Sequence, residues 1–339
     1  MKKSLSSATL RFIALSCLIF SMLHIVPTNV NAQKTRVIFD TDMGPDYDDV
    51  GALAILHVMA DNKEVNILGT FSSNRHEKAL PCISVINTWF GRPTLPMTGP
   101  NEEGVYLTTW HKKKWTEELP AKYPHYSFKD ENEMPDMVEA YRYILSKQPK
   151  QSVTIVTVGF TTNIAALLRS KADRYSSLSG VELVRDKVKL WVAMAGAFPS
   201  GKEFNVEQDA TSSRYAIENF PSPILFSGFE IGAPVLTGKR LISKPGMTGP
   251  VYDAYSLCLA EGDKDGRSSW DQTAVLVAVK GIAPYFDQEK GKIKVATDGS
   301  NTWEADPSGP HSRLLPKMPV EELATVIEDL MMTPPKRKK

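Results

Sequence analysis

Five carboxylates crowd into the ten residues behind one apolar strand, and that crowding limits what the chain can fold into and do. Val37, Ile38 and Phe39 form a β-branched and aromatic run, followed by Asp40, Thr41, Asp42, Met43, Gly44, Pro45, Asp46, Tyr47, Asp48 and Asp49. Beyond them Val50, Leu53, Ala54, His57 and Val58 recur at helical spacing on one face. The pattern predicts a strand, a turn at Gly44 and Pro45, and a helix. The acids then sit at the carboxyl end of a strand and the start of a helix, where open α/β sheets hold ligands. Like charges packed so closely are costly unless a cation or a catalytic task compensates them.

The same alternation continues along the chain. Glu64 to Gly69 and Ser152 to Val158 predict strands, as do Val188 to Met194 and Ile224 to Phe229. Helices are expected near Lys78 to Phe90, Met137 to Leu145 and Thr273 to Val279, with another starting at a cap on Thr162 or Asn163. Ile293 to Trp303 suggests a late hairpin, and Val320 to Met331 a last helix. Tyr106 to Pro135, aromatic and without periodicity, predicts a lid or a packed surface excursion, with His111 and His125 as lid or plain surface residues. The expected fold is one doubly wound, mainly parallel, Rossmann-like open α/β sheet with helices on both faces, spanning residues 33–333. Asp42 to Asp49, Asn74, the turn after Val158, Glu203 to Asn205 and Asp271 would converge on one edge of that sheet.

With 40 basic and 39 acidic residues, the chain shows no global sign of nucleic-acid binding. Lys2, Lys3 and Arg11, the apolar segment from Phe12 to Val26, and Val30, Asn31, Ala32 predict a signal peptide over residues 1–32, and so an exported, periplasmic or secreted protein. The apolar run is shorter than the ~20 residues of a membrane span, so no stable span is expected after cleavage. Cys82 and Cys258 remain in the mature chain, enough for one disulfide at most. Residues 334–339 read as a solvated basic tail.

Three chemistries compete for the first loop. A calcium loop of the EF-hand type fails, because Pro45 and Gly51 occupy the positions of its glycine and its closing glutamate. A magnesium-dependent phosphatase of the haloacid dehalogenase type would use Asp40 and Asp42, and leaves Asp48 and Asp49 without a task. The third reading takes the whole constellation. Asp40-Thr-Asp-Met-Gly with Asp48-Asp49, Val153 to Ala165, Met194-Ala195-Gly196, Glu203-Phe204-Asn205 and Trp270-Asp271 together resemble the nucleoside hydrolases, the inosine-uridine-preferring family.

The resemblance implies calcium-dependent hydrolysis of the N-glycosidic bond of ribonucleosides to free base and ribose. It implies Ca2+ held by Asp42, Asp49, the Val158 carbonyl and Asp271, with Asp42 also the general base toward a metal-bound water. Asp48, Asn74, Glu203 and Asn205 match the family's ribose contacts, and Met194 and Trp270 its pocket positions. Asp40 reads as a buried acceptor supporting the site. The implied partner is a small ribonucleoside, with a homo-dimer or homo-tetramer as the assembly. Two departures stand out: Pro45, Asp46 and Tyr47 lengthen the first loop, and Trp270 replaces the usual histidine. That replacement also motivates a non-catalytic periplasmic nucleoside- or sugar-binding protein as a rival.

Overall fold

The computed structural model describes residues 34–100, 104–126 and 134–336. The expected signal segment therefore lies outside the described residues. Strand β1 (Thr35–Thr41) leads into α1 (Asp48–Asp61), β2 (Val65–Ser72), α2 (Ala79–Trp89) and β3 (Met97–Thr98). Next come α3 (Trp115–Lys122), α4 (Met137–Ser146), β4 (Val153–Thr157), α5 (Thr162–Arg169), α6 (Gly180–Lys187) and β5 (Val188–Met194). The third quarter holds β6 (Ser200–Lys202), α7 (Phe204–Gln208), α8 (Ala210–Asn219), β7 (Ile224–Ser227), α9 (Phe229–Gly232), β8 (Leu236–Thr237) and α10 (Lys239–Ser243). Helix α11 (Pro250–Leu259), β9 (Arg267–Ser268), α12 (Trp270–Lys280), β10 (Phe286–Val295), β11 (Ser300–Ala305), β12 (His311–Pro316) and α13 (Val320–Met331) complete the chain.

Ten strands form the main sheet in the order β3-β2-β1-β4-β5-β7-β12-β10-β11-β6. Every pair from β3 to β12 is parallel, and the pairs from β12 to β6 are antiparallel. The mainly parallel expectation therefore holds, with an antiparallel extension at one side. The late hairpin is present, with Ile293 opposite Trp303. Its surroundings differ from expectation: β12, with Ser312 and Arg313 in its middle, carries no strand signal in the sequence, yet it pairs with β7 and joins the hairpin to the sheet.

Side chains alternate along β1, so Val37 and Phe39 face one apolar layer and Ile38 the other. The first layer lies under α1, α2, α11, α12 and α13; the second under α4, α5, α6 and α8. Helix α1 is the exception to amphipathic expectation. Every residue from Asp48 to Met59 is buried, because α2, α11, α12 and α13 all pack against it over the sheet. Its far end receives the start of the basic tail: Lys336 donates through its backbone N–H to Asp61 Oδ2 (2.9 Å) and through Nζ to Asn62 Oδ1 (2.8 Å). Cys82 and Cys258 are both free and buried.

The chain leaves β1 toward β2 and β3 on one side and returns to β4 on the other. A crevice opens at the carboxyl ends of strands where the winding reverses in this way. The first acidic loop and the Val158 turn flank that point.

Candidate active site

Asp40 and Thr41, at the end of β1, anchor the loop from below. Asp40 is fully buried; its Oδ2 accepts from Tyr141 Oη (2.7 Å) and Asn163 Nδ2 (2.9 Å). Burial pushes its carboxyl up to about 7, against those two hydrogen bonds. It does not line the cavity described below, and as a phosphotransferase nucleophile it would be out of reach. Asn163, expected as a candidate cap, instead ties Asp40 to the Ser72 carbonyl (2.8 Å), while Thr161 takes the N-cap position of α5. Thr41 Oγ1 donates to Asp49 Oδ1 and accepts from the Met43 N–H (3.2 Å).

One cavity of about 190 Å³ gathers Asp42, Asp48, Val158, Met194, Glu203, Asn205, Trp270 and Asp271, eight of the ten residues expected at the site. Asp49 and Asn74 are buried beside it without lining it. The Asn74 amide is fully engaged: Nδ2 donates to the carbonyls of Asp42 (3.2 Å) and Leu107 (2.8 Å), and Oδ1 accepts from His76 N–H (3.1 Å) and Leu107 N–H (3.0 Å). It braces the turn that aims Asp42. Glu203 caps α7 by accepting from the Asn205 (2.8 Å) and Val206 (3.2 Å) N–H groups, and also accepts from Gly196 (3.1 Å). Asn205 Nδ2 reaches the carbonyls of Met194 (3.2 Å) and Val158 (3.4 Å).

Five further residues line the cavity: Asp46 and Phe204, from stretches expected to converge there, Trp110, from the expected lid or surface excursion, and Phe229 and Arg267, which the sequence did not single out. The deep wall is polar and closed, with Asp42, Asp48, Glu203 and Asp271 each under 5% exposed, whereas Trp110 and Phe229 stand 56% and 46% exposed at the mouth. Trp110 meets Phe204 edge-on at 5.2 Å, and Phe229 lies 5.2 Å from Trp270. His111 is packed edge-on against Tyr47 (5.2 Å), outside the cavity lining, and His125 bonds the Tyr123 carbonyl. Arg267 bridges Asp46 and Asp48. One signal could have found it: an extra buried acid in a lengthened loop needs a cation, and Arg267 stands four residues before Asp271.

Burial dominates the electrostatics. It raises the carboxyls of Asp42, Asp49 and Asp271 well above the ordinary range; the charges of Asp46 and Asp48 raise all three further, Asp42 adds to Asp49 and Asp271, and a hydrogen bond with Asp49 opposes the rise at Asp42. Asp48 is pushed up to about 7 by burial and by Asp46, with Arg267 opposing. Burial likewise lifts Glu203 to about 7 against its backbone donors. Among the described residues, no three His, Cys, Asp or Glu side chains already close into a metal-ligand set. The donors nonetheless suit a hard cation, which takes oxygen ligands and reverses the penalty of crowded carboxylates. Asp49 Oδ2 is buried with no hydrogen-bond partner among the described residues, an orphan that such an ion would satisfy.

Residues 37–312 match the model of the inosine-uridine preferring nucleoside hydrolases. The chain belongs to that family. It is a hydrolase acting on N-glycosyl compounds. No curated protein matches its sequence. Among solved structures it is similar to the plant nucleoside hydrolase PpNRh1, at 20% identity and TM-score 0.64 over 88% of this chain and 99% of that one. The inosine-uridine preferring nucleoside hydrolase from Bacillus anthracis superposes with TM-score 0.66 at 16% identity, over 88% and 99%. The type III effector XopQ, complexed with adenosine diphosphate ribose, does so with TM-score 0.64 at 14% identity, over 88% and 94%. At these identities the structural likeness establishes the shared fold.

Proposed function

We propose that this nucleoside hydrolase cleaves ribonucleosides to free base and ribose with Ca2+ as its cofactor. The observation that carries the reading is the division of one cavity into a buried wall of Asp42, Asp48, Glu203, Asn205 and Asp271 and an aromatic mouth. A ribose fits the first by its hydroxyls, and a flat base fits the second by stacking. Asp42, Asp49, the Val158 carbonyl and Asp271 would hold the ion, all hard oxygen donors. When bound, it supplies the positive charge that keeps these carboxylates ionised and makes a nearby water more acidic.

Asp42 takes the proton of the attacking water as general base. The water oxygen bonds to the anomeric carbon while the bond to the base nitrogen breaks, through an oxocarbenium-like state. Asp48 and Glu203 face the growing positive charge on the sugar and accept from its hydroxyls, and Asn205 positions them. Asn74 contributes by fixing the Asp42 turn and reaches ribose only by releasing one of its internal bonds. Met194 and Trp270 contact the base. The basic and apolar N-terminal segment ending at Ala32 supports export, which suits use of nucleosides outside the cell.

Ribose release from a panel of purine and pyrimidine ribonucleosides, with calcium and with a chelator, tests this. Activity should vanish on chelation, and Asp42→Asn should lose on the order of 10²–10⁴-fold. Calcium at about 100 times its Kd should also stabilise the fold by about 2.7 kcal/mol. No ribose from any member of the panel, or full activity in Asp42→Asn, would overturn the proposal. A binding protein without turnover is the second reading, favoured by Trp270 in place of the histidine; tight nucleoside binding in calorimetry with no ribose released would establish it.

A further inference from the structure

Among the described residues lining the cavity, Arg267 is the only cation, and most of its guanidinium is already held. Nε and Nη2 both donate to Asp48 Oδ1 at 3.1 Å, and Nη2 also donates to Asp46 Oδ2. The guanidinium lies over the rings of Tyr47 (5.4 Å) and Trp270 (5.0 Å). Asp46 and Tyr47 belong to the extra segment of the first loop, so that insertion and the arginine form one assembly. Tyr47 is held in turn by donating to Asp263 Oδ2 (2.7 Å).

Nη1 is what this assembly leaves over. It stands 3.9 Å from the Asp263 carboxylate, beyond hydrogen-bond reach. A planar fork fixed on its other sides presents the remaining N–H groups at a set place, with little side-chain freedom left to lose on binding.

None of the aromatic side chains at the cavity's mouth is an acid that could protonate a departing base, since an indole N–H donates a hydrogen bond and keeps its proton. Trp270 stands where the family usually carries histidine, and its Nε1–H is spent on the Phe229 carbonyl (2.8 Å). Trp110, Phe204 and Phe229 are the other aromatic residues there. When the glycosidic bond breaks, its electron pair moves onto the base nitrogen. In the absence of a proton donor that charge has to be stabilised where it forms.

We infer that Arg267 Nη1 hydrogen-bonds the departing base and stabilises it as an anion, in place of a proton donor. The inference rests on the ribonucleoside reading above. The water oxygen bonds to the anomeric carbon, Asp42 accepts the water proton, and the bond to the base breaks with its electron pair staying on the base. The base takes its proton from solvent afterwards. Arg267 keeps all its protons throughout, as an arginine must in a protein.

The test separates leaving groups. Wild type, Arg267→Gln and Arg267→Lys are assayed with calcium on uridine and inosine, and on 4-nitrophenyl β-D-riboside, whose phenolate leaves unaided. Both variants should lose on the order of 100-fold more in kcat on the nucleosides than on the nitrophenyl riboside, whose own loss reports only the weakened hold on Asp48. Lysine retains the charge beside Asp48 and lacks the fork, so its matching pattern separates the leaving-group role from loss of charge or folding. Equal losses on both substrate types would overturn the inference by making Arg267 a support for Asp48 alone, and so would no loss. A wild-type enzyme that cleaves neither type would defeat the ribonucleoside reading itself.

Discussion

Gly159 leaves no room for a methyl group beside Asp42. It follows Val158 in the turn after β4, and a Cβ built there stands 2.4 Å from the Asp42 backbone nitrogen, 2.6 Å from its Cβ and 2.7 Å from Ser73 Oγ. Ordinary contact begins at 3.4 Å. Its φ lies outside the left-handed region, so alanine's own backbone preference is no obstacle and the clash is the whole effect. In a core at crystal-like density the Asp42 segment must retreat by about 1 Å. That overpacking costs roughly 1–3 kcal/mol, and with Asp42 as the proposed general base a displacement of this size costs on the order of 100-fold in rate. Gly159→Ala should therefore lose about two decades in kcat/KM on a ribonucleoside. It should also lower Tm by several degrees, at roughly 2–4 °C per kcal/mol for a domain a little smaller than this one. Gly262→Ala is the control, since nothing lies within 4 Å of its added methyl. Activity within twofold of wild type in Gly159→Ala would refute the claim that Asp42 is held by contact with this turn.

Two further predictions concern the supports of the site. His57 lies buried in α1 with Nε2 2.8 Å from Asn87 Oδ1 and its ring stacked on Phe90, and burial lowers it from 6.5 to about 3. The native state thus refuses a proton that the unfolded chain accepts, so its contribution is complete above pH 6.5 and is lost as pH falls toward 3. Urea titrations between those limits should show a slope of stability against pH smaller by about 1.4 kcal/mol per unit in His57→Gln than in wild type; superimposable slopes would count against it. Asn163→Ala removes the amide shared by Asp40 and the Ser72 carbonyl, and should cost about 1–3 kcal/mol in chemical denaturation. An unchanged denaturation midpoint would show the bond to be dispensable.

Much of the architecture was legible because buried parallel strands announce themselves as β-branched runs. Ser152 to Val158 and Val188 to Met194 fell close to β4 and β5 for that reason. Strand β12 was missed because Ser312 and Arg313 interrupt its apolar pattern, and only pairing with β7 and β10 makes it a strand. The encasement of α1 was also hidden: periodicity reveals one apolar face, whereas small residues such as Gly51, Ala52 and Ala54 let neighbours close over the others. At the site, carboxylates after strand ends were readable as a group, since their cost in isolation demands an explanation. Arg267 was not, because an arginine in a two-residue strand has no local pattern until the fold sets it against Asp46 and Asp48. Asn163 was misread for a related reason, as the residue types that cap helices also bridge buried acids.

The two halves of the cavity hang on different parts of the molecule. Asp48 and Asp49 lie in the first turn of α1 and Asp271 in that of α12, two almost wholly buried helices that pack on each other along the core, so the backbone amides of these helices exchange with solvent only when the core itself opens. Trp110 and Arg267 sit instead on the segments around 107–113 and 261–269, joined where Glu261 accepts from the Lys112 (2.8 Å) and Lys113 (2.6 Å) N–H groups. Those segments carry few apolar contacts and lie at the low end of local stability. Amide exchange should therefore be fast at the rim and slow beneath it. Over evolutionary time, the rim can drift toward new bases while the inner half, and the bond it breaks, stay as they are.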